Sequence, residues 1–147
     1  MCTLMIMYKA VVNYPIIVAA NRDEYYNRDA KLPSILSLGP NNKIKVLAGQ
    51  DVRVGGTWLG VNQWGVVVGI TNRSTGRPRD DSKKSRGSLV ISCLEKRSAA
   101  EILEMIQKED TEQYNPFNLW FADLSVAYLC TNYEKKRISP LLEKICV

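Results

Sequence analysis

Residues 55–74 read GGTWLGVNQWGVVVGITNRS, and this stretch decides what kind of fold the chain can adopt. Two β-rich runs, TWLGV and VVVGIT, flank Asn62-Gln63-Trp64-Gly65, a pattern that predicts a β-hairpin. Gly55 and Gly56 before it, and Gly60 and Gly69 within it, mark bulges or places where another backbone comes close. A phosphate-cradling glycine loop would have to open a helix. This one opens a strand, which argues against that use of the glycines. Trp58 and Trp64 could line a pocket, although aromatic side chains in a hairpin are ordinarily core or cross-strand pairs.

Upstream of the hairpin, CTLMIMYKAVV and YPIIVAA predict two strands joined by a tight turn at Val12-Asn13-Tyr14-Pro15. Both runs are almost continuously apolar, which predicts a sheet covered on both faces. NRDEYYNRDAKLP then reads as a polar turn, the segment holding Pro33, Pro40 and Asn41-Asn42 as loop, and KIKVLAGQD as a short strand. Downstream, residues 73–84 are polar and predict an exposed loop. SRGSLVISCLEKR opens a helix with Leu89, Val90, Cys93 and Leu94 on one side. Ser98-Ala99-Ala100-Glu101 is a capping box. Ala99, Ile102, Leu103 and Ile106 then recur at the spacing of one helical face. NPFNLWFADL and SVAYLCTNYE predict a second strand pair that turns near Asp123-Leu124-Ser125. Strands, then helices, then strands again suit an α+β fold of mostly antiparallel sheets better than alternating βαβ units.

A chain of 147 residues can build one domain with a real core. No apolar run approaches a membrane span, and no convincing export signal is present, so the expected location is cytoplasmic, or an organelle matrix in a eukaryote. The thiols are then expected to be reduced. Cysteines at positions 2, 93, 130 and 146 make no C-x-x-C pair, which argues against a zinc cage or redox dithiol. The chain has no histidine at all. That excludes Cys–His and Ser–His nucleophile pairs and an H-E-x-x-H metal site. Proton transfer would fall to a carboxylate, an amine, a tyrosine or water, and the pattern calls for no cofactor. A formal charge of +5 raises nucleic-acid binding as a class. Its densest source, RSTGRPRDDSKKSR at 73–86, lacks interleaved aromatics for base stacking and reads as a solvated loop rather than a specific nucleic-acid site.

The start of the chain, MCTL, poses the chemical question. Loss of the initiator methionine would leave Cys2 with a thiol and a free α-amine on one residue. An α-amine titrates at about 7.7–8.0 and a thiol at about 8.5, so the amine could take the thiol proton. A lone cysteine is equally at home as a small buried hydrophobe in a strand. NRDE, at 21–24, ends the second predicted strand, and antiparallel pairing would bring it back to the chain's start. Asp23 could there hold the terminal amine, with Asn21 or Arg22 alongside. The plainer alternative is a polar turn whose ion pair is worth little.

MCTL, AANRDEYY, AGQDVRVGGTWLGVN, GITNRS and SRGSLV, in that order, resemble the NRDE family, which includes the transport-and-Golgi-organisation protein 2 homologues. That family in turn is similar to the N-terminal nucleophile hydrolases, among them penicillin V acylases and bile-salt hydrolases, which also begin Met-Cys-Thr. The resemblance implies a single domain over 1–147 with an αββα sandwich, shortened and incomplete at its C-terminal end relative to the family. It implies Cys2 as nucleophile, Asp23 as holder of the terminal amine and Asn72 on the oxyanion side. Arg22, Trp58 and Arg86 are the candidate substrate-binding residues. Ala20 stands where the acylases place an arginine, with Arg22 two residues on. The implied activity is hydrolysis of a non-peptide C–N bond. The alternative is a non-catalytic handler of haem or acyl-lipid small molecules; without histidine, an axial haem ligand would be Cys, Met or Tyr. The early stop implies an uncovered face and self-association, most simply a symmetric dimer. Leu141, Leu142 and Ile145 of LLEKICV, on one helical side, are its candidate contact.

Overall fold

A computed structural model describes residues 3–25, 27–76, 78–142 and 144–146. In chain order its elements are β1 (Thr3–Val11), β2 (Tyr14–Asn21), β3 (Ala30–Leu38), β4 (Ile44–Asp51), β5 (Leu59–Asn62) and β6 (Val67–Asn72), then α1 (Arg86–Leu94) and α2 (Ala99–Lys108), then β7 (Phe117–Ala122), β8 (Ala127–Thr131), β9 (Arg137–Pro140) and β10 (Lys144–Cys146). The strands form two antiparallel sheets, one of order β10-β1-β2 and one of order β3-β4-β5-β6-β7-β8-β9. The fold is α+β, as the order of elements predicts.

The hairpin of residues 55–74 becomes β5–β6, in the interior of the larger sheet. Asn62 closes its turn. The side-chain Oδ1 accepts the N–H groups of Trp64 and Val66 at 3.0 Å each, and Gly65 takes the left-handed conformation, φ 78°. The same side chain then donates from Nδ2 to the carbonyls of Leu94 at 3.0 Å and Lys96 at 2.7 Å. A single buried amide thus fixes the hairpin and ties it to the end of α1, with its donors and acceptor all used.

β7 explains the layering. Its residues alternate, so Phe117, Leu119 and Phe121 pack against α1 and α2, while Trp120 and Ala122 pack against β1. On the helix side they meet Val66, Val68, Val90, Leu94, Ile102 and Ile106, all fully buried. Burial of each such side chain contributes about 1.5–3 kcal/mol. α2 starts as the capping box requires, with Ser98 Oγ accepting the Glu101 N–H at 3.2 Å. Glu101 Oε2, however, reaches one residue further back, to the N–H of Arg97 at 2.9 Å. Asp123, in the β7–β8 turn, accepts the Ala99 N–H at 2.8 Å, so a neighbouring turn completes the helix cap.

The structure corrects four expectations. The segment through Pro33 is strand β3, at the edge of the large sheet, with Pro33 inside a register shift between Lys31 and Ser34 where no ladder N–H is needed. β9, at the opposite edge, extends β8 where no strand was foreseen. The end of LLEKICV is not helical: β10 pairs with β1, Met7 opposite Ile145, and Leu141 packs between the sheets. Finally, β1 and β2 are covered on one face. Ile6 and Tyr8 are buried against the large sheet, but Met5, on the other face, is 39% exposed, and among the described residues no helix lies over it. The described layers therefore run helices, seven-stranded sheet, three-stranded sheet. No described helix is long and apolar enough to cross a membrane.

Candidate active site

The β1–β2 register sets Thr3 opposite Asn21, so the turn that follows β2 sits beside the start of β1. In that turn Asn21 Nδ2 donates to Asp23 Oδ1 at 2.7 Å, and Asp23 lies exposed at the sheet end. The next step is made by Arg22. Its guanidinium donates to Asp51 Oδ2 at 3.0 Å and to the Arg28 carbonyl at 3.3 Å, and stacks over the Trp58 ring at 4.9 Å.

Asp51 is the hub. It ends β4, is 6% exposed, and faces Arg28 Nε at 2.9 Å with the oxygen that Arg22 uses. Its other oxygen accepts the N–H groups of Arg53 at 3.0 Å and Val54 at 3.3 Å, the geometry of an Asx turn. Arg28 reaches on to Glu24 at 2.7 Å. Burial works to raise the Asp51 pKa; the Arg28 charge, the two N–H groups and Arg22 outweigh it and hold the carboxyl below its ordinary value. Arg22 and Arg28 are thus tied to Asp51 by charge-assisted contacts, and Trp58 is joined to them by the Arg22 guanidinium stacked on its ring.

The glycines before the hairpin provide the second lock. A Cβ on Gly56 would stand 2.8 Å from the Gly87 Cα, so the start of β5 and the first turn of α1 touch backbone to backbone. This is the close approach the sequence pattern predicts. It seats Gly87 against Thr57, whose N–H donates to the Gly87 carbonyl at 3.4 Å, and sets residues 85–87 across from Trp58. A cavity of about 270 Å³ lies between them, walled by Arg22, Asp51 and Trp58 on one side and by Asn72 and residues 85–87 on the other.

Four of the six sequence-predicted site residues, Arg22, Trp58, Asn72 and Arg86, therefore line one cavity. Asn72 ends β6 opposite Phe117, and Arg86 donates to the Pro116 carbonyl at 3.0 Å. Asp23 is not in the lining; it stands next to Arg22 at the sheet end. Cys2 lies outside the described residues. Sequence reasoning missed Asp51 and Arg28. The run QDVRVGG does signal an Asx turn, but nothing local marks an aspartate whose arginine partner is 29 residues away. The described residues of 73–84 are the exposed loop that their polarity predicts, but sequence reasoning did not foresee that the loop is tied down. Asn115, buried, clasps the loop's Asp80 backbone in both directions, accepting its N–H at 2.9 Å and donating to its carbonyl at 2.7 Å. Arg79, Lys83 and Lys84 are thereby placed on the cavity wall. Of the other thiols, Cys93 and Cys130 are fully buried; burial pushes Cys130 up to about 11 and Cys93 further still. Among the described residues no cluster of three or more His, Cys, Asp or Glu could hold a metal ion.

Comparison with known proteins places this geometry. The structure matches a penicillin V acylase from Agrobacterium tumefaciens with a TM-score of 0.56 and 16% identity, over 94% of this chain and 49% of the acylase. It matches a variant of conjugated bile acid hydrolase from Clostridium perfringens with a TM-score of 0.56 and 13% identity, over 84% of this chain and 46% of that one. The fold is that of the N-terminal nucleophile hydrolases. The family model for Transport and Golgi organisation 2 matches residues 1–147, and the chain belongs to that family. It is 39% identical over 119 residues to the Transport and Golgi organization 2 homolog of Mus musculus and 40% identical over 120 residues to the Homo sapiens homolog. The chain spans 41% of the length of each of these relatives.

Proposed function

We propose that the protein is an N-terminal-cysteine amidohydrolase acting on a non-peptide C–N bond. In this reading, loss of Met1 frees the Cys2 α-amine, which takes the thiol proton and is held by Asp23. The thiolate attacks the acyl carbon, and Asn72 or a backbone N–H donates to the resulting oxyanion. The C–N bond breaks, the amine leaves with the proton, and water hydrolyses the thioester to release the acid and restore the thiol. Arg22, Trp58 and Arg86 hold the substrate.

The observation that carries the reading is the pairing of Thr3 with Asn21, which sets the residue after Cys2 beside the Asn21–Glu24 turn, whose Arg22 lines a cavity with Trp58, Asn72 and Arg86. The hydrolase-like fold supports it. Release of amine from a panel of N-acyl compounds, with wild type and Cys2→Ala side by side, tests it: activity lost in the variant is expected, and activity equal in both overturns it.

One observation favours a second reading, a non-catalytic carrier of haem or an acyl-lipid. An apolar hollow of about 360 Å³ lies between the sheets, walled by Ile16, Val18, Leu59, Val61 and Val67 and reaching Trp58. Binding of such a ligand that survives Cys2→Ala, with no turnover by wild type, would favour it.

A further inference from the structure

We propose that the substrate carries an anionic group, carboxylate or phosphate in kind, and that the loop-side wall of the cavity, Lys83, Lys84 and Arg86 with Arg79, receives it. The inference rests on reading the cavity as the amidohydrolase site and names the substrate class that site takes.

The charge of the lining points there. Among the described residues of the lining, six cationic side chains face three carboxylates, Glu24, Asp51 and Asp81, a formal excess of three positive charges around about 270 Å³. Those carboxylates pair with arginines of the lining: Asp51 holds Arg22 and Arg28, Glu24 holds Arg28, and Asp81 sits 3.0 Å from Arg79. Lys83 Nζ donates to the Glu112 carbonyl at 3.0 Å, and Lys84 Nζ lies 5.9 Å from the centre of the Tyr114 ring. The carboxylates that feel these two lysines, Asp80 for Lys83 and Asp110 for Lys84, are solvent-exposed and lie outside the cavity lining. Cations gathered in a cleft with low-dielectric walls focus their field on whatever enters.

These cations are also held in place. Besides the Asn115 clasp on Asp80, the loop is tied at both ends, by the Arg73 N–H to the Pro116 carbonyl at 3.0 Å and by the Lys84 N–H to the Gln113 carbonyl at 2.8 Å. An adjoining hollow of about 440 Å³ shares Asn72, Arg79, Arg86 and Asn115 with the cavity and leaves room for a substrate to extend past the anionic group that the lysine wall receives.

Two measurements on the full chain test the proposal. In the first, Cys2 is alkylated with iodoacetate and, separately, with iodoacetamide. Each forms an S–C bond as iodide leaves, and the reagents differ in charge rather than size. The iodoacetate-to-iodoacetamide rate ratio should exceed that of a Cys-Thr-Leu peptide by about tenfold or more. The excess should vanish in Lys83→Gln/Lys84→Gln and persist in Lys83→Arg/Lys84→Arg. Fast iodoacetamide labelling with no iodoacetate preference overturns the anion site and leaves the amidohydrolase reading standing. Slow reaction with both reagents sinks that reading, and the second measurement then decides the anion site alone. Inorganic phosphate and, separately, acetate are titrated while Tm is followed. A saturable rise in wild type that is lost in the glutamine pair supports the proposal, and the better of the two anions identifies the group. No rise, or an equal rise in the variant, overturns it.

Discussion

The two faces of the seven-stranded sheet are held by different means. Against α1 and α2 the sheet buries a continuous set of apolar side chains, among them Val66, Val68, Leu94, Ile106, Phe117, Leu119 and Phe121. Against the three-stranded sheet it buries far less, chiefly Ile6, Tyr8, Trp120, Ala122, Ala127 and Leu141. At the end of that thinner seam the turn after β2 is joined to β4 by ion pairs to Asp51. The difference teaches where stability and chemistry reside. The helix-backed face supplies the dense packing, while the seam carries charged, partly solvated groups that an apolar core would not tolerate.

The sharpest contrast should come from truncating the dense face. Phe121→Ala, which empties a fully buried site, should cost about 3–5 kcal/mol in denaturant unfolding. A loss below about 1 kcal/mol would mean the helix side is not the principal core.

Asp51→Asn probes the seam. It removes the charge that Arg22 and Arg28 share and should cost about 2 kcal/mol, less than the 3–5 kcal/mol of a fully buried pair because both arginines keep some exposure. The folded carboxyl titrates below its ordinary value of 3.8, so as pH falls protons bind the unfolded chain first. The stabilisation is complete above that value and is lost as pH drops through the lowered one. Wild type and Asp51→Asn should therefore converge in stability at strongly acid pH; a constant difference from neutral to acid would place Asp51 outside this role.

Gly56→Ala forces a methyl to within 2.8 Å of the Gly87 backbone, and α1 must shift. A cost of about 1–3 kcal/mol is expected, with loss of the Trp58–Arg86 spacing. A neutral effect on thermal unfolding would show that the two backbones are free to separate. Met5→Ala should be smallest. The side chain is 39% exposed on the uncovered face of β1, so its loss should stay within about 0.5–1 kcal/mol by denaturant titration. A cost comparable to Phe121→Ala would mean that face is covered after all.

What the residues disclose in advance follows the same division. The β5–β6 hairpin, β7–β8 and α2 were legible because each carries its period and its own turn or cap: Asn62 and Gly65, Asp123, Ser98. β3 was not, because Pro33 interrupts its apolar run, and only an edge strand with a register shift there can accept it. LLEKICV was misread because a run this short has no decisive period, and pairing with β1 settles it as strand. In the candidate site Arg22, Trp58, Asn72 and Arg86 could be named beforehand. Asp51, Arg28 and the Asn115 clasp on the basic loop could not, since each acts through partners distant in sequence.

The central claim, a nucleophile at the chain's start, is tested most directly by peptide mapping after brief iodoacetamide treatment at neutral pH. The account predicts that Met1 is absent and that Cys2 is labelled well before Cys93 and Cys130, whose burial raises their thiol pKa values. Met1 retained, with labelling spread over Cys93, Cys130 or Cys146 ahead of Cys2, would contradict it.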